Sequence, residues 1–381
     1  MVAASLAVTG LVLAGCAGTT DPGDDTEAPS GDFDSAAIQE RVDSYYAAPT
    51  EILQTEPVDT PPTDISVIFL TNGQGGTTRI MQGVEAGAAA VGWDFESIAF
   101  DVANPATLNQ AYLTALSKGA DFVVQSGTPQ ANIPDTTLDA YRDAGAKIIL
   151  TSVAPIEPND VVLGDPNGPE MQKTSGEMLA DWFMLDSEGS GKVLIESVSA
   201  FPVLLEAVEG FRARVAEDCA DCSTQVLEIA ADQIASGGIV PSVVNALRAD
   251  PDINYVMFDN LQFANGIQSA LSAAGLDVKV FGRSVDPNAA AGLADGTIAA
   301  GTGTSFFYTG YSAIDIAVRS LAGQDVSTSL NDNQPTQLIT KENLDSIDSE
   351  GLWNLPTDAL AQYAELWGVT PPPCTLGCYE D

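Results

Sequence analysis

The sequence predicts an α/β protein of two doubly wound parallel-sheet domains. Three observations carry this. From residue 65 onward, short apolar runs alternate with longer amphipathic stretches, the pattern of buried strands separated by covering helices. The alternation stops at a stretch bearing Pro155, Pro158 and Pro166 and then restarts, as a second domain would. Finally, 381 residues at 45% hydrophobic content suffice for two full cores.

The chain opens on an apolar run, 1–15, ending in Leu13-Ala14-Gly15 ahead of Cys16. A short apolar stretch with small residues before a cysteine reads as a lipoprotein signal peptide. It is shorter than the roughly 20 apolar residues of a membrane span. Cys16 is therefore expected to become the first mature residue and to carry the lipid. Residues 16–63 are the expected tether and leader. Gly, Thr, Asp, Pro and Ser dominate 17–30, which leaves nothing to bury. A short helix is expected over 33–46, and Pro57, Pro61 and Pro62 close the leader.

The N-terminal α/β lobe is expected over 64–153, with strands at 65–70, 95–100, 122–125 and 147–151 and helices at 77–91, 105–118 and 135–144. The C-terminal α/β lobe is expected over 154–304. Its strands are 193–197, 225–229, 255–258, 278–282 and 299–303, and its helices 204–217, 240–249 and 263–274. A helix over 308–322 lies in the stretch 305–334 that completes the first lobe, and 335–345 completes the second. Chain crossings near 152–158, 302–305 and 324–335 would form a three-crossing hinge. The remainder, 346–381, reads as a cap carrying Trp353, Trp367 and a loop bounded by Cys374 and Cys378.

Composition excludes several functions. Fifty-three acidic residues against fourteen basic ones give a formal charge of −39, which repels nucleic acid and anionic lipid head groups. The membrane is thus a partner through the lipid alone. There is no histidine, which removes Ser-His, Cys-His and His-metal chemistry. No carboxylate spacing resembles a calcium loop, so no metal or cofactor is expected. Beside Cys16 the cysteines fall into two tight pairs, Cys219/Cys222 and Cys374/Cys378. Outside the cytoplasm two local disulfides are the reading, with a zinc site built from all four as the alternative. A redox role for Cys219/Cys222 conflicts with the surrounding acids, which raise a thiol pKa.

Ligands of open parallel sheets bind beyond the carboxyl ends of the strands. In the first domain this selects Asn72 and Gln74, Gln125 and Ser126, and Ser152. In the second it selects Phe201, Asp259 and Asn260, Arg283 and Ser284, and Thr304. Most are uncharged hydrogen-bonding groups, suited to orienting a small polar ligand. The run from Gly73 to Thr78 lies between a strand and a helix N-terminus, where backbone amides favour an anion, with Arg79 or Arg283 assisting; a tight turn is the plainer reading. Phe201, Phe306 and Phe307 would make an apolar wall, unless the last two pack in the core. A glycosidase would need two acids about 5 to 9.5 Å apart, and among the selected positions Asp259 is the only acid. No catalytic residue is assigned, and the protein is expected not to be an enzyme.

Four segments carry a family resemblance. Gly83-Val84-Glu85-Ala86-Gly87 through Gly92-Trp93 forms a first helix and a Gly-aromatic turn. Glu209-Gly210-Phe211 lies in the first helix of the second block, Asn260 and Gly266 follow its third strand, and 296–310 forms a return crossing. In their order and spacing they resemble bacterial solute-binding proteins of the ribose/galactose type, in the type I periplasmic-binding-protein family, over about 64–341. The resemblance implies two Rossmann-like domains with a ligand cleft between them. It also implies an extracytoplasmic, monomeric receptor, here held to the cell membrane by the lipid on Cys16. Such a receptor captures a sugar or sugar-like solute by cleft closure and delivers it to an ABC permease and its ATPase. A sensor that hands the closed form to a signalling receptor is the alternative, as is transport of an organic acid or aromatic ligand. The family's binding residues are mostly replaced. Gln74-Gly75-Gly76-Thr77 stands where two aromatics are usual, Ser152-Val153 where Asp-Arg is, Ser284 for an Asp and Thr304 for a Gln. Only Asn260 is kept. A repressor with the same core conflicts with the acidic charge and the lipoprotein signal.

Overall fold

The computed structural model describes residues 33–102, 104–326 and 333–370. The assignments made to Cys16, Cys374 and Cys378 lie outside these residues. Cys219 and Cys222 are joined as a disulfide, with Cα atoms 5.3 Å apart.

The first lobe is built from β1 (Ser66–Thr71), α2 (Gly75–Ala90), β2 (Asp94–Ala99), α3 (Pro105–Ser117), β3 (Phe122–Ser126), α4 (Asp135–Ala144), β4 (Lys147–Thr151) and β5 (Val162–Leu163). Its sheet runs β2-β1-β3-β4-β5, parallel throughout. The central strand β3 is buried along its whole length, as a strand covered on both faces must be. Val67 pairs with Phe95 on one side and Phe122 on the other.

The second lobe comprises α5 (Pro169–Asp186), β6 (Lys192–Val198), α6 (Pro202–Asp218), β7 (Ser223–Ile229), α7 (Ala231–Ser236), α8 (Ile239–Ala249), β8 (Tyr255–Phe258), α9 (Ile267–Ala274), β9 (Lys279–Gly282), α10 (Pro287–Asp295) and β10 (Ala300–Thr302). The chain returns to the first lobe as α11 (Phe306–Leu321), then adds β11 (Leu338–Ile339) antiparallel to β10. The sheet order is β11-β10-β9-β8-β6-β7, parallel except for that edge. In both sheets the order reverses beside the first strand, between β1 and β3 and between β6 and β8, which places a ligand crevice at each.

Two features depart from the sequence reading. The first crossing lies at 164–168 rather than 152–158, because β5 pairs with β4 and keeps the chain in the first sheet beyond the prolines. The 18-residue α5 was not anticipated. It is buried over most of its length, and its polar stripe, Glu170, Lys173, Thr174 and Glu177, is blurred by Gln172, Ser175 and Asp181, which are polar yet buried. Gly168-Pro169 is its one local signal, a helix start with Pro in the first turn.

The leader and the cap also run between the lobes. Helix α1 (Ser35–Tyr45) packs on α5 of the second lobe, whereas Ile52 enters the first-lobe core. Val58 N donates to Leu366 O at 2.8 Å in α12 (Ala359–Leu366), and Trp93 Nε1 to Pro62 O at 2.6 Å. In the cap, Trp353 belongs to the second-lobe core while Tyr363 and Trp367 belong to the first. Gln337 gathers these strands at the hinge: its Nε2 donates to Tyr46 O at 2.7 Å, and its Oε1 accepts from Trp353 Nε1 at 2.8 Å.

Candidate functional site

A cavity of about 230 Å³ lies between the lobes at the carboxyl ends of both sheets. It is lined from the first lobe by Asn72, Gln74, Ser126 and Ser152, and from the second by Phe201, Asn260, Arg283 and Ser284, with Thr304 from the crossing between them. The remaining two predicted residues lie elsewhere. Gln125 is fully buried, its Nε2 donating to Ser126 O and its Oε1 accepting from Tyr112 OH at 3.4 Å. Asp259 is fully buried behind the wall, its Oδ2 accepting from Val198 N at 2.6 Å. Both belong to strand ends, but alternation along a strand turns neighbouring side chains opposite ways. In each pair it is the neighbour, Ser126 or Asn260, that lines the cavity.

Local turns position the lining groups. Asn72 Oδ1 accepts from Gln74 N at 3.0 Å across Gly73, whose φ of +74° needs a glycine. That turn delivers the chain into α2, where no side chain caps the helix at Gln74, so the first amides of Gly75, Gly76 and Thr77 border the cavity. Asn260 Oδ1 accepts from Gln262 N at 3.1 Å. Ser284 N donates to Thr302 Oγ1, and Ser284 Oγ to Thr304 Oγ1, both at 3.3 Å. Four non-glycine residues among those described hold left-handed backbone: Ser152, Asn167, Glu188 and Ser284. Three of them line the cavity. Such strain persists where the surroundings enforce it and gathers at functional sites.

Several lining residues escaped the sequence reading. Asn167 and Gln172 enter at the start of α5 and form a chain with Ser152. Gln172 Nε2 donates to Asn167 Oδ1 at 2.9 Å, and Asn167 Nδ2 donates to Ser152 Oγ at 2.8 Å. Leu352, Trp353 and Asn354 come from the cap, where no strand-end rule would look for them. Phe306 lines the cavity against Gly76, whereas Phe307 is core.

The charges are few. Arg79 and Arg283 are the basic lining residues and Asp286 the acidic one. Asp286 Oδ1 caps α10 by accepting from Ala289 N at 2.8 Å. Arg283 is 2% exposed, and its Nε donates to Asp259 O at 3.2 Å. Burial draws its guanidinium down to about 10, opposed by the charge of Asp259, so it stays cationic at neutral pH. Behind it Glu196 and Asp259 are both raised above the ordinary carboxylate range, first by desolvation. Their mutual repulsion pushes Glu196 further. Among the described residues no cluster of His, Cys, Asp and Glu could hold a metal ion. No helix among them is long and apolar enough to cross a membrane.

Two lobes closing on a polar cavity at their strand ends is the arrangement of a receptor for small solutes, and residues 65–325 match the periplasmic binding protein domain. The chain belongs to this family. Solved periplasmic binding proteins share its fold at low identity. The glucose-galactose binding protein of Geobacillus stearothermophilus is 18% identical with a TM-score of 0.62, over 74% of this chain and 99% of that one. The 5-methylthioribose transporter solute binding protein of Thermotoga lettingae is 15% identical with a TM-score of 0.63, over 82% and 97%. A putative LacI transcriptional regulator from Bacteroides fragilis is also similar, at 17% identity and a TM-score of 0.61, over 74% and 99%. No curated protein sequence matches the chain. The family consists of binding proteins, and this member's cavity combines hydrogen-bonding groups, Arg79, Arg283 and Asp286 with an apolar wall of Phe201, Phe306, Leu352 and Trp353.

Proposed function

We propose that this periplasmic binding protein captures a small polar solute by closing its two lobes over it and delivers it to an ABC permease and its ATPase. The observation that carries the reading is the cavity itself. It draws uncharged donors and acceptors from both lobes, Asn72 and Ser126 facing Asn260 and Ser284. A ligand bonded to both walls stabilises the closed form by its differential affinity for that form. A sugar-sized solute suits the volume, which lies below the roughly 300–1,000 Å³ of sites for drug-sized ligands. In this reading the chain works as a monomer outside the cytoplasmic membrane. Residues 1–15 serve as the signal, and a lipid on Cys16 anchors the protein. Walls made mainly of uncharged hydrogen-bonding groups, beside Arg79, Arg283 and Asp286, support delivery without chemistry.

The test is a thermal-shift screen of residues 31–381, a compact unit, against sugars, polyols, sugar acids, nucleosides and short organic acids. A ligand at 100 times its Kd adds about 2.7 kcal/mol of stability, a clear rise in Tm. Retrieval of the permease by the liganded protein and not by the free one completes the expectation. Silence across the whole panel, or retrieval of a signalling receptor instead, would overturn it.

A further inference from the structure

We infer that the solute is acidic: a small polyol carrying one anionic oxygen group, carboxylate or phosphate, held by Arg283, with a hydroxyl donating to Gln172. This rests on the receptor reading above and names the class of solute that reading leaves open.

Two buried groups in the cavity are short of partners, and in opposite senses. Arg283 carries five N–H donors. Only Nε is engaged, with the Asp259 carbonyl at 3.2 Å, and no protein group accepts from its buried Nη1. Arg283 forms no ion pair among the described residues, and the Asp259 carboxylate behind it is turned to Val198 N. Gln172, fully buried, spends Nε2 on Asn167 O and Oδ1 at 3.0 and 2.9 Å, and its Oε1 has no donor. An unpaired buried donor or acceptor is costly, more so when charged. One ligand bearing an anion and a hydroxyl answers both.

The opposite wall agrees. The 16-residue α2 turns its uncapped N-terminal amides to the cavity, and Arg79 on it has no ion-pair partner among the described residues. The only lining carboxylate, Asp286, is occupied with its own helix. The cavity is therefore positively polarised within a chain whose formal charge is −39. Asp259 lies near enough to act on the Arg283 charge, but it accepts no bond from Nη1, and a neutral hydroxyl would fill only one of the open positions of the fork. An anionic group takes a charge-assisted, bidentate bond.

Isothermal titration of the whole wild-type protein with galacturonate and glucuronate, glucuronamide, galactose and glucose, and glucose 6-phosphate tests this. The expected result is that an acid binds at least tenfold more tightly than its neutral counterpart, and that Arg283→Gln abolishes this gap. Preference for uronate or for the phosphate ester says which anion is used. If Arg283→Gln does not fold, Arg283→Lys, which keeps charge but not the fork, should weaken the acid by a larger factor than the neutral sugars and so narrow the gap. Neutral sugars binding as tightly as acids, or a gap that survives at position 283, overturns the acid assignment and leaves the receptor reading standing. No binding by any member, acidic or neutral, overturns both.

Discussion

Arg41 in the leader helix grips Asp181 in α5 through two parallel bonds, Nε to Oδ2 at 2.9 Å and Nη2 to Oδ1 at 2.7 Å. Tyr45 OH donates to the same carboxylate at 2.9 Å, and Arg41 also reaches Asp218 at 2.6 Å. The Asp181 side chain is fully buried, so its charge depends on these partners. The leader helix is thus part of the second lobe. Arg41→Ala strands a buried carboxylate with one hydroxyl donor. Breaking a buried pair costs about 3–5 kcal/mol; the partial exposure of Arg41 reduces this to about 2–3 kcal/mol. Urea unfolding reads it directly, with Arg41→Lys intermediate. A loss below about 0.5 kcal/mol would show that the leader is only laid on the surface.

Helices α2 and α11 cross almost backbone to backbone. A Cβ on Gly310 would lie 2.4 Å from Ile80 O and 2.5 Å from Val84 N, and one on Gly83 would lie 2.3 Å from Phe307 O. Neither neighbour is a flexible side chain that could move aside. Gly310→Ala is expected to cost about 3 kcal/mol, the upper end of overpacking penalties. It should also weaken ligand binding, because the displaced helices carry Phe306 and the first amides of α2 into the cavity. Thermal unfolding and ligand titration of this one variant check both effects. A stable variant with intact binding would contradict the close crossing.

The sheet grammar was legible wherever burial was one-sided or strictly stranded. The strand over 147–151 and the helix over 135–144 fall where the pattern puts them, and strand ends such as Asn72, Ser126 and Asn260 did lead to the cavity. What the sequence hid was mostly buried or contributed from afar. Helix α5 shows a blurred period because polar residues such as Ser175 and Asp181 are buried in it, and with it went Gln172. Trp353 reaches the cavity from a cap whose path depends on tertiary contacts such as its bond to Gln337. Strand alternation separates Gln125 from Ser126 and Asp259 from Asn260, but choosing the member that faces the ligand requires the register, which no single strand reveals.

Glu196 and Asp259 give stability a pH dependence of definite sign. Desolvation raises both above the ordinary carboxylate range, and the charge of Asp259 raises Glu196 further. Between that range and the folded values, the native state holds a proton that the unfolded chain has released. Stability is therefore present at low pH and is lost as pH rises through this window, at up to about 1.4 kcal/mol per pH unit for one proton. Glu196→Gln replaces the protonated acid by a neutral amide of the same shape. The variant should lose less stability than wild type between pH 5 and pH 8 and be the more stable of the two at pH 8. Denaturant unfolding at several pH values separates this pair from the general acidity of the surface, which both proteins share. Parallel pH profiles would mean that Glu196 titrates normally.

Trp353 is the one tryptophan that lines the cavity; Trp93, Trp182 and Trp367 are buried in the lobe cores. Its indole also lies against the hinge crossing, close enough that a Cβ on Gly303 would be 2.4 Å from the ring. An indole placed between ligand and hinge reports both contact and closure. Ligand binding is therefore expected to shift the intrinsic fluorescence, and Trp353→Phe to abolish that shift while calorimetry still detects binding. The same variant leaves Gln337 Oε1 without its indole donor, at a cost of about 1 kcal/mol, so its Tm should fall modestly even without ligand. Gln337 also holds Tyr46 O. A loosened Gln337 would then free the leader as well as the cap, and protease cleavage between the leader helix and β1 should quicken in Trp353→Phe. A fluorescence change that persists in the variant would assign the signal to Trp93, Trp182 or Trp367 and remove Trp353 from the ligand's path.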